Sequence, residues 1–95
     1  MSLTHHAIEQ RIVELLGARS PSSSICPSDV ARSFSDDESE WRDLMAPVRD
    51  VAARLASDNV IRVTQGDKEV VIDAALRGPI RLRRSKHFPD PPPIL

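Results

Sequence analysis

The stretch WRDLMAPVRDVAARLASDNVIRVTQGDKEVVIDAALRGPIRLRR, residues 41–84, decides how this chain is read. Its apolar positions Trp41, Leu44, Met45, Val48, Val51, Ala52 and Leu55 are spaced 3, 1, 3, 3, 1 and 3, which draws one apolar stripe along a helix. Pro47 interrupts the stripe, because it removes a backbone donor and crowds the preceding turn. The spacing therefore predicts a short helix through Met45 and a main helix from Pro47 to about Ser57, either separate or joined as one kinked rod. Asp58-Asn59 supplies the stop. Next comes a hairpin. Glycine at the first central position of a Gly66-Asp67 turn suits the type II′ geometry. Paired residue numbers then sum to 133, which sets Val63 opposite Val70 and Ile61 opposite Ile72. All four fall on one face, with Arg62, Thr64, Glu69 and Val71 on the other. After Gly78-Pro79 a third strand, Ile80 to Arg84, turns Ile80 and Leu82 one way and Arg81 and Arg83 the other.

Working outward, Ile8, Ile12, Leu15 and Leu16 recur at helical spacing between Thr4 and Ala18, and Val13 widens the stripe. Thr4 is the expected N-cap and Gly17 the stop, with Glu9 and Arg11 turned outward. Ser20 to Ser24 is a polar connector, and Ile25 leads into the fold as a short extended piece. Cys26-Pro27-Ser28-Asp29 reads as a helix start, with proline at the first helical position and an acid at the positive dipole end. Val30, Ala31 and Phe34 give that helix its buried side. Ser35 to Ser39 is expected to form an acidic turn. The core should bring Trp41, Leu44, Val48, Val51 and Leu55 against Ile8, Ile12, Leu15 and Phe34.

Two shorter helices followed by a striped helix that delivers into a two-stranded ribbon is the order of elements in a winged helix-turn-helix domain. The expected fold is α+β: three helices plus a small two- or three-stranded antiparallel sheet over residues 4–84. A proline-rich extended tail follows over 85–95. Three segments resemble a bacterial family of small proteins catalogued as a domain of unknown function: Ile25-Cys26-Pro27-Ser28-Asp29-Val30-Ala31-Arg32, Trp41-Arg42-x-Leu44-Met45-x-x-Val48-Arg49 and Gly78-Pro79-Ile80-Arg81-Leu82-Arg83. The resemblance runs from about Thr4 to Arg84 and implies a winged-helix-like fold. It carries no functional residues over. The acidic Asp36-Asp37-Glu38 insert lies outside its motifs.

Ninety-five residues, 40% of them hydrophobic and 28% charged, describe one ordinary globular domain. No apolar run approaches the roughly 20 residues needed to span a bilayer, and no basic-then-apolar leader is read at Met1-Ser2-Leu3. The lone Cys26 cannot form an internal disulfide, so a reducing cytoplasm is the expected compartment. The net charge of -1 hides an asymmetry. Asp36, Asp37, Glu38, Glu40 and Asp43 stand against Arg42 alone, whereas Arg77, Arg81, Arg83, Arg84 and Lys86 lie between Ala74 and Pro89 without an acid. Such a segment can make a local positive patch on a near-neutral domain.

Candidate chemistry is correspondingly narrow. Duplex DNA is one expected partner, with the helix from Pro47 in the major groove and Arg49, Arg54, Arg62, Lys68, Arg81, Arg83 and Arg84 at phosphates. Against it stand the acidic turn before Trp41, Asp50 and Asp58 on the helix, and the lack of exposed Asn or Gln to read adenine. The alternative is a module of the same fold that binds another protein or a second copy of itself. Trp41 reads as a core anchor and only secondarily as a stacking element. Adjacent His5 and His6 diverge by about 100° on a helix, so no metal or other cofactor is expected. The serines at 20, 22, 23 and 24 lack a base and a glycine-framed turn, and the acids before Trp41 lack the alternation of a calcium loop. Cys26 reads as an unreactive, largely buried thiol. No enzyme activity and no small-molecule substrate are expected. Pro89-Asp90-Pro91-Pro92 matches a PxxP docking segment, and Ile94-Leu95 could equally pack on a neighbouring molecule.

Overall fold

The computed structural model describes residues 4–73 and 76–89. The chain forms α1 (His5–Gly17), β1 (Ser24–Ile25), α2 (Pro27–Arg32), α3 (Glu38–Asp43), α4 (Met45–Ser57), β2 (Ile61–Gln65), β3 (Lys68–Glu69) and β4 (Arg81–Arg84). The strands make one antiparallel sheet in the order β1-β4-β2-β3. The architecture is α+β, compatible with a winged-helix-like fold. The PxxP segment beyond Pro89 and Ile94-Leu95 lie outside the described residues.

Thr4 caps α1 as expected, its hydroxyl accepting from Ala7 N–H at 3.1 Å. Cys26 N–H donates to Asp29 Oδ2 at 3.0 Å, with Pro27 at the head of α2. The acidic turn differs from expectation, because its acids build a helix start. Asp37 is the N-cap of α3 and accepts from Glu40 N–H and the Ser39 hydroxyl, which hold its carboxyl below the usual range.

The expected break lies at Leu44 rather than at Pro47. Because α4 starts at Met45, Pro47 falls in the first turn, where its missing N–H has no helical acceptor. A continuous rod would press the proline ring on the Asp43 carbonyl, and α3 ends at Asp43. Leu44 keeps helical angles (φ -83°, ψ -12°), so the two helices stay jointed end to end.

At its C-terminus α4 closes with paired turn bonds, Asn59 N–H to Ala56 O at 3.0 Å and Val60 N–H to Leu55 O at 2.9 Å. This closure puts Asn59 at φ +62°. A β-branched side chain fits that region poorly, so Asn59→Val should cost about 1–2 kcal/mol, whereas Asn59→Gly should stay within about 1 kcal/mol of the parent. Urea titration of the two variants separates these outcomes.

The core lies between the helices and the inner face of the sheet. Ile8, Ile12 and Leu16 of α1 meet Val48, Val51 and Leu55 of α4 over Ile61, Val63, Ile80 and Leu82, all at most 2% exposed. Leu16 takes the slot expected for Leu15, which is half-buried at the edge. Trp41 also sits at the margin, its ring flanked by the guanidinium carbons of Arg32 at 4.5 Å and Arg42 at 5.7 Å. Arg11 is not simply outward, since it bonds to Ser33 and covers Phe34.

The hairpin register holds, with Thr64 opposite Glu69 and Gln65 opposite Lys68. Val70 N–H donates to Val63 O at 2.9 Å, and Gly66 takes φ +63°. The ladder does not continue to Ile61 and Ile72. β3 lies on one edge of β2 and β4 on the other, so the connecting chain leaves the ladder after Val70 to cross over. The long partner of β2 is β4, which sets Ile61 opposite Arg84, Arg62 opposite Arg83, Val63 opposite Leu82 and Thr64 opposite Arg81. Thr64 is therefore covered rather than exposed, and Arg83 Nε donates to its hydroxyl at 3.2 Å.

Candidate functional site

Where the hairpin opens, a groove forms. In an antiparallel ladder, residues two apart turn their N–H and C=O to the same side. Val63 bonds toward Val70, so the Ile61 main chain turns that way too, and no partner for it lies there among the described residues. The groove beside this open edge has a volume of about 560 Å³. Ala53 and Ala56 of α4 form one wall, Ile61 and Val63 the floor, and Val70 and Ile72 the opposite wall. Val71, on the rim, is 78% exposed, the most exposed large apolar side chain described. Small residues on α4 make room here. Larger side chains at 53 and 56 would fill the space against β2.

The seven bases expected to meet phosphate do not share one face. Arg49 donates to Gly78 O at 3.0 Å and ties α4 to the crossover. Arg54 pairs with Glu9 Oε2 at 2.9 Å. The exposed side of α4 thus presents Asp50 beside a neutralised arginine. Arg62 pairs with Glu69 at 2.8 Å. Arg84 turns inward, and its guanidinium donates to the carbonyls of Leu16, Gly17 and Arg19 at the end of α1. Arg81 and Arg83 leave β4 on the face opposite Leu82, away from the helices. Arg81 donates to Ser24 Oγ at 2.8 Å and Ser24 O at 3.1 Å, and Arg83 to Ser22 O at 3.4 Å. Lys68 is exposed at the hairpin tip with no such bond among the described residues.

Sequence reasoning missed Arg19, which joins this outer face by donating to Ser24 O at 3.2 Å. It also missed the groove, since nothing in residues 70–73 marks the point where pairing stops. Cys26 is half-buried, its Sγ 2.9 Å from Ser28 Oγ. Among the described residues no cluster of His, Cys, Asp and Glu could hold a metal ion, and no helix is long and apolar enough to cross a membrane. A family model described as a protein of unknown function, DUF3253, matches residues 5–85. No curated protein matches the chain.

Proposed function

We propose, from the premise that the chain belongs to the DUF3253 family of unknown function, that it is a non-catalytic protein-binding module. Its ligand is an extended peptide of a partner protein, added to the open edge of β2 inside the groove. One observation carries this reading: a main-chain donor and acceptor at Ile61 with no partner among the described residues, beside a wall of small apolar side chains. An added strand can satisfy such an edge and at the same time offer alternate side chains to the pocket. The groove volume also lies in the ordinary range for ligand sites. The ligand that fits runs antiparallel to β2 along the line the chain leaves after Val70, with an apolar residue at every second position.

A duplex seated on α4 draws little support. Asp50 would face the phosphates, Arg54 is neutralised by Glu9, and Arg81 and Arg83 project from the far side of the sheet.

The test is panning of a displayed random peptide library against the immobilised domain. Enriched peptides should alternate apolar residues and shift the amide resonances of Ala53, Ser57 and residues 61–63. Methylating the peptide nitrogens that face Ile61 should weaken binding by about tenfold or more, the value of roughly one good hydrogen bond. Ala53→Arg, which keeps the helix and fills the groove, should abolish binding. Peptides that bind elsewhere, or that survive Ala53→Arg, would refute the assignment.

A further inference from the structure

We propose that the outer face of the sheet is a second, separate site that binds a single nucleic-acid strand through its phosphates. Arg81 and Arg83 from β4 and Arg19 from the loop after α1 supply its charge. What distinguishes these arginines is the kind of partner they have. Arg19, Arg81 and Arg83 donate to backbone carbonyls or hydroxyls of Ser22, Ser24 and Thr64, none of which neutralises them. Their guanidiniums are held in place, keep their full charge and retain unused donors.

Two acids border the patch, and neither forms an ion pair with Arg19, Arg81 or Arg83 among the described residues. Glu69 pairs with Arg62 alone. Burial works to raise the Asp29 pKa, but hydrogen bonds from Cys26 and the nearby Arg19 and Arg81 outweigh it, and the carboxyl sits below its ordinary value. That carboxylate caps α2 at the Cys26 N–H rather than meeting a guanidinium.

Two further features point to a polyanion. Arg81 and Arg83 are two residues apart on one strand, roughly 6.8 Å, close to the spacing of successive phosphates along an extended nucleic-acid strand. Among the described residues the face carries no aromatic ring, so a strand held there is gripped by its phosphates while its bases go unstacked and unread. The acids of α3 and the first half of α4 belong to the helical layer that covers the opposite face, and they leave this one clear.

The probe is a fluorescent oligothymidylate of about 20 nucleotides, followed by anisotropy across a salt series from about 50 mM upward. Binding should fall with a log–log slope near -0.7 per phosphate neutralised, reaching about -2 for three arginines. Arg81→Gln with Arg83→Gln should weaken binding by about tenfold or more and make the slope shallower by about 1.4. Arg54→Gln, on α4, should change neither. Thermal melting of each variant establishes that it is folded. The proposal is overturned if folded protein at micromolar concentration does not bind, or if the double variant keeps the parent slope. It is also overturned if a duplex of equal length binds more tightly and Arg54→Gln weakens it. Binding to phosphatidylserine vesicles without binding to the oligonucleotide overturns it as well. Ala53→Arg should leave oligonucleotide binding intact, so loss of the groove and loss of this face read out separately.

Discussion

Leu55→Ala should lower the free energy of unfolding by about 2–5 kcal/mol and the melting temperature by at least about 8 °C. Leu55 is 1% exposed and packs where α1, α4 and β2 converge. Truncation removes the transfer energy of the lost methyl groups. It also leaves a cavity that the jointed α3–α4 pair cannot close without moving the sheet. A domain of this size is held by only about 5–15 kcal/mol, so the variant gives up a large share of its stability. Leu44→Ala, at the half-buried joint, should cost clearly less. Equal losses at the two positions, or a loss under about 1 kcal/mol at Leu55, would mean that the α1–α4 seam is not the centre of the core.

Arg84→Met should cost about 1.5–3 kcal/mol, although in the sequence Arg84 reads as a surface base. Its guanidinium reaches Leu16 O at 2.9 Å, Gly17 O at 3.3 Å and Arg19 O at 2.7 Å, while the Phe88 ring lies 4.9 Å from its carbon. Helix C-terminal carbonyls lack intrahelical donors and carry the negative end of the dipole, and one planar cation reaches two of them, Leu16 and Gly17, together with the Arg19 carbonyl just beyond the helix. Arg84→Lys should recover only part of the loss, since an ammonium on a flexible stem cannot reproduce the fork. Denaturant titration gives the energies, and amide exchange in the last turn of α1 locates the damage. A lysine variant with full stability would show that charge alone is at work.

The legible parts of this chain are those fixed by local chemistry. Gly66 sets the hairpin turn, and the parity of Ile61, Val63, Ile80 and Leu82 sets which face of each strand is buried. Thr4, Asp29 and Asn59 mark helix ends by their side chains. Pro47 shows that a rod must break, though the steric conflict falls on the preceding turn, so the break appears at Leu44. Long-range routing was not legible. Ser24-Ile25 is too short to read as a strand until β4 lies beside it. The departure after Val70 follows from β4 pairing on the other edge of β2, a fact of topology that no local pattern encodes. The arginines mislead for a related reason: their partners are mostly main-chain carbonyls, which carry no side-chain signature. A count of basic residues therefore could not separate Arg84, which caps a helix, from Arg83, which lies half-buried on the outer face of the sheet.

Both outermost strands, β1 and β3, are only two residues long. A long exposed edge recruits further copies of itself and grows into fibrils. A dipeptide edge offers too few bonds to template such growth. The stretch of main chain at Ile61, vacant among the described residues, lies in the groove lined by Val70 to Ile72, where the proposed peptide would add as a lone segment. The architecture can thus keep a receptive edge open at high concentration without polymerising. Lengthening β3 along its present register would close the groove and expose the aggregation hazard in the same step.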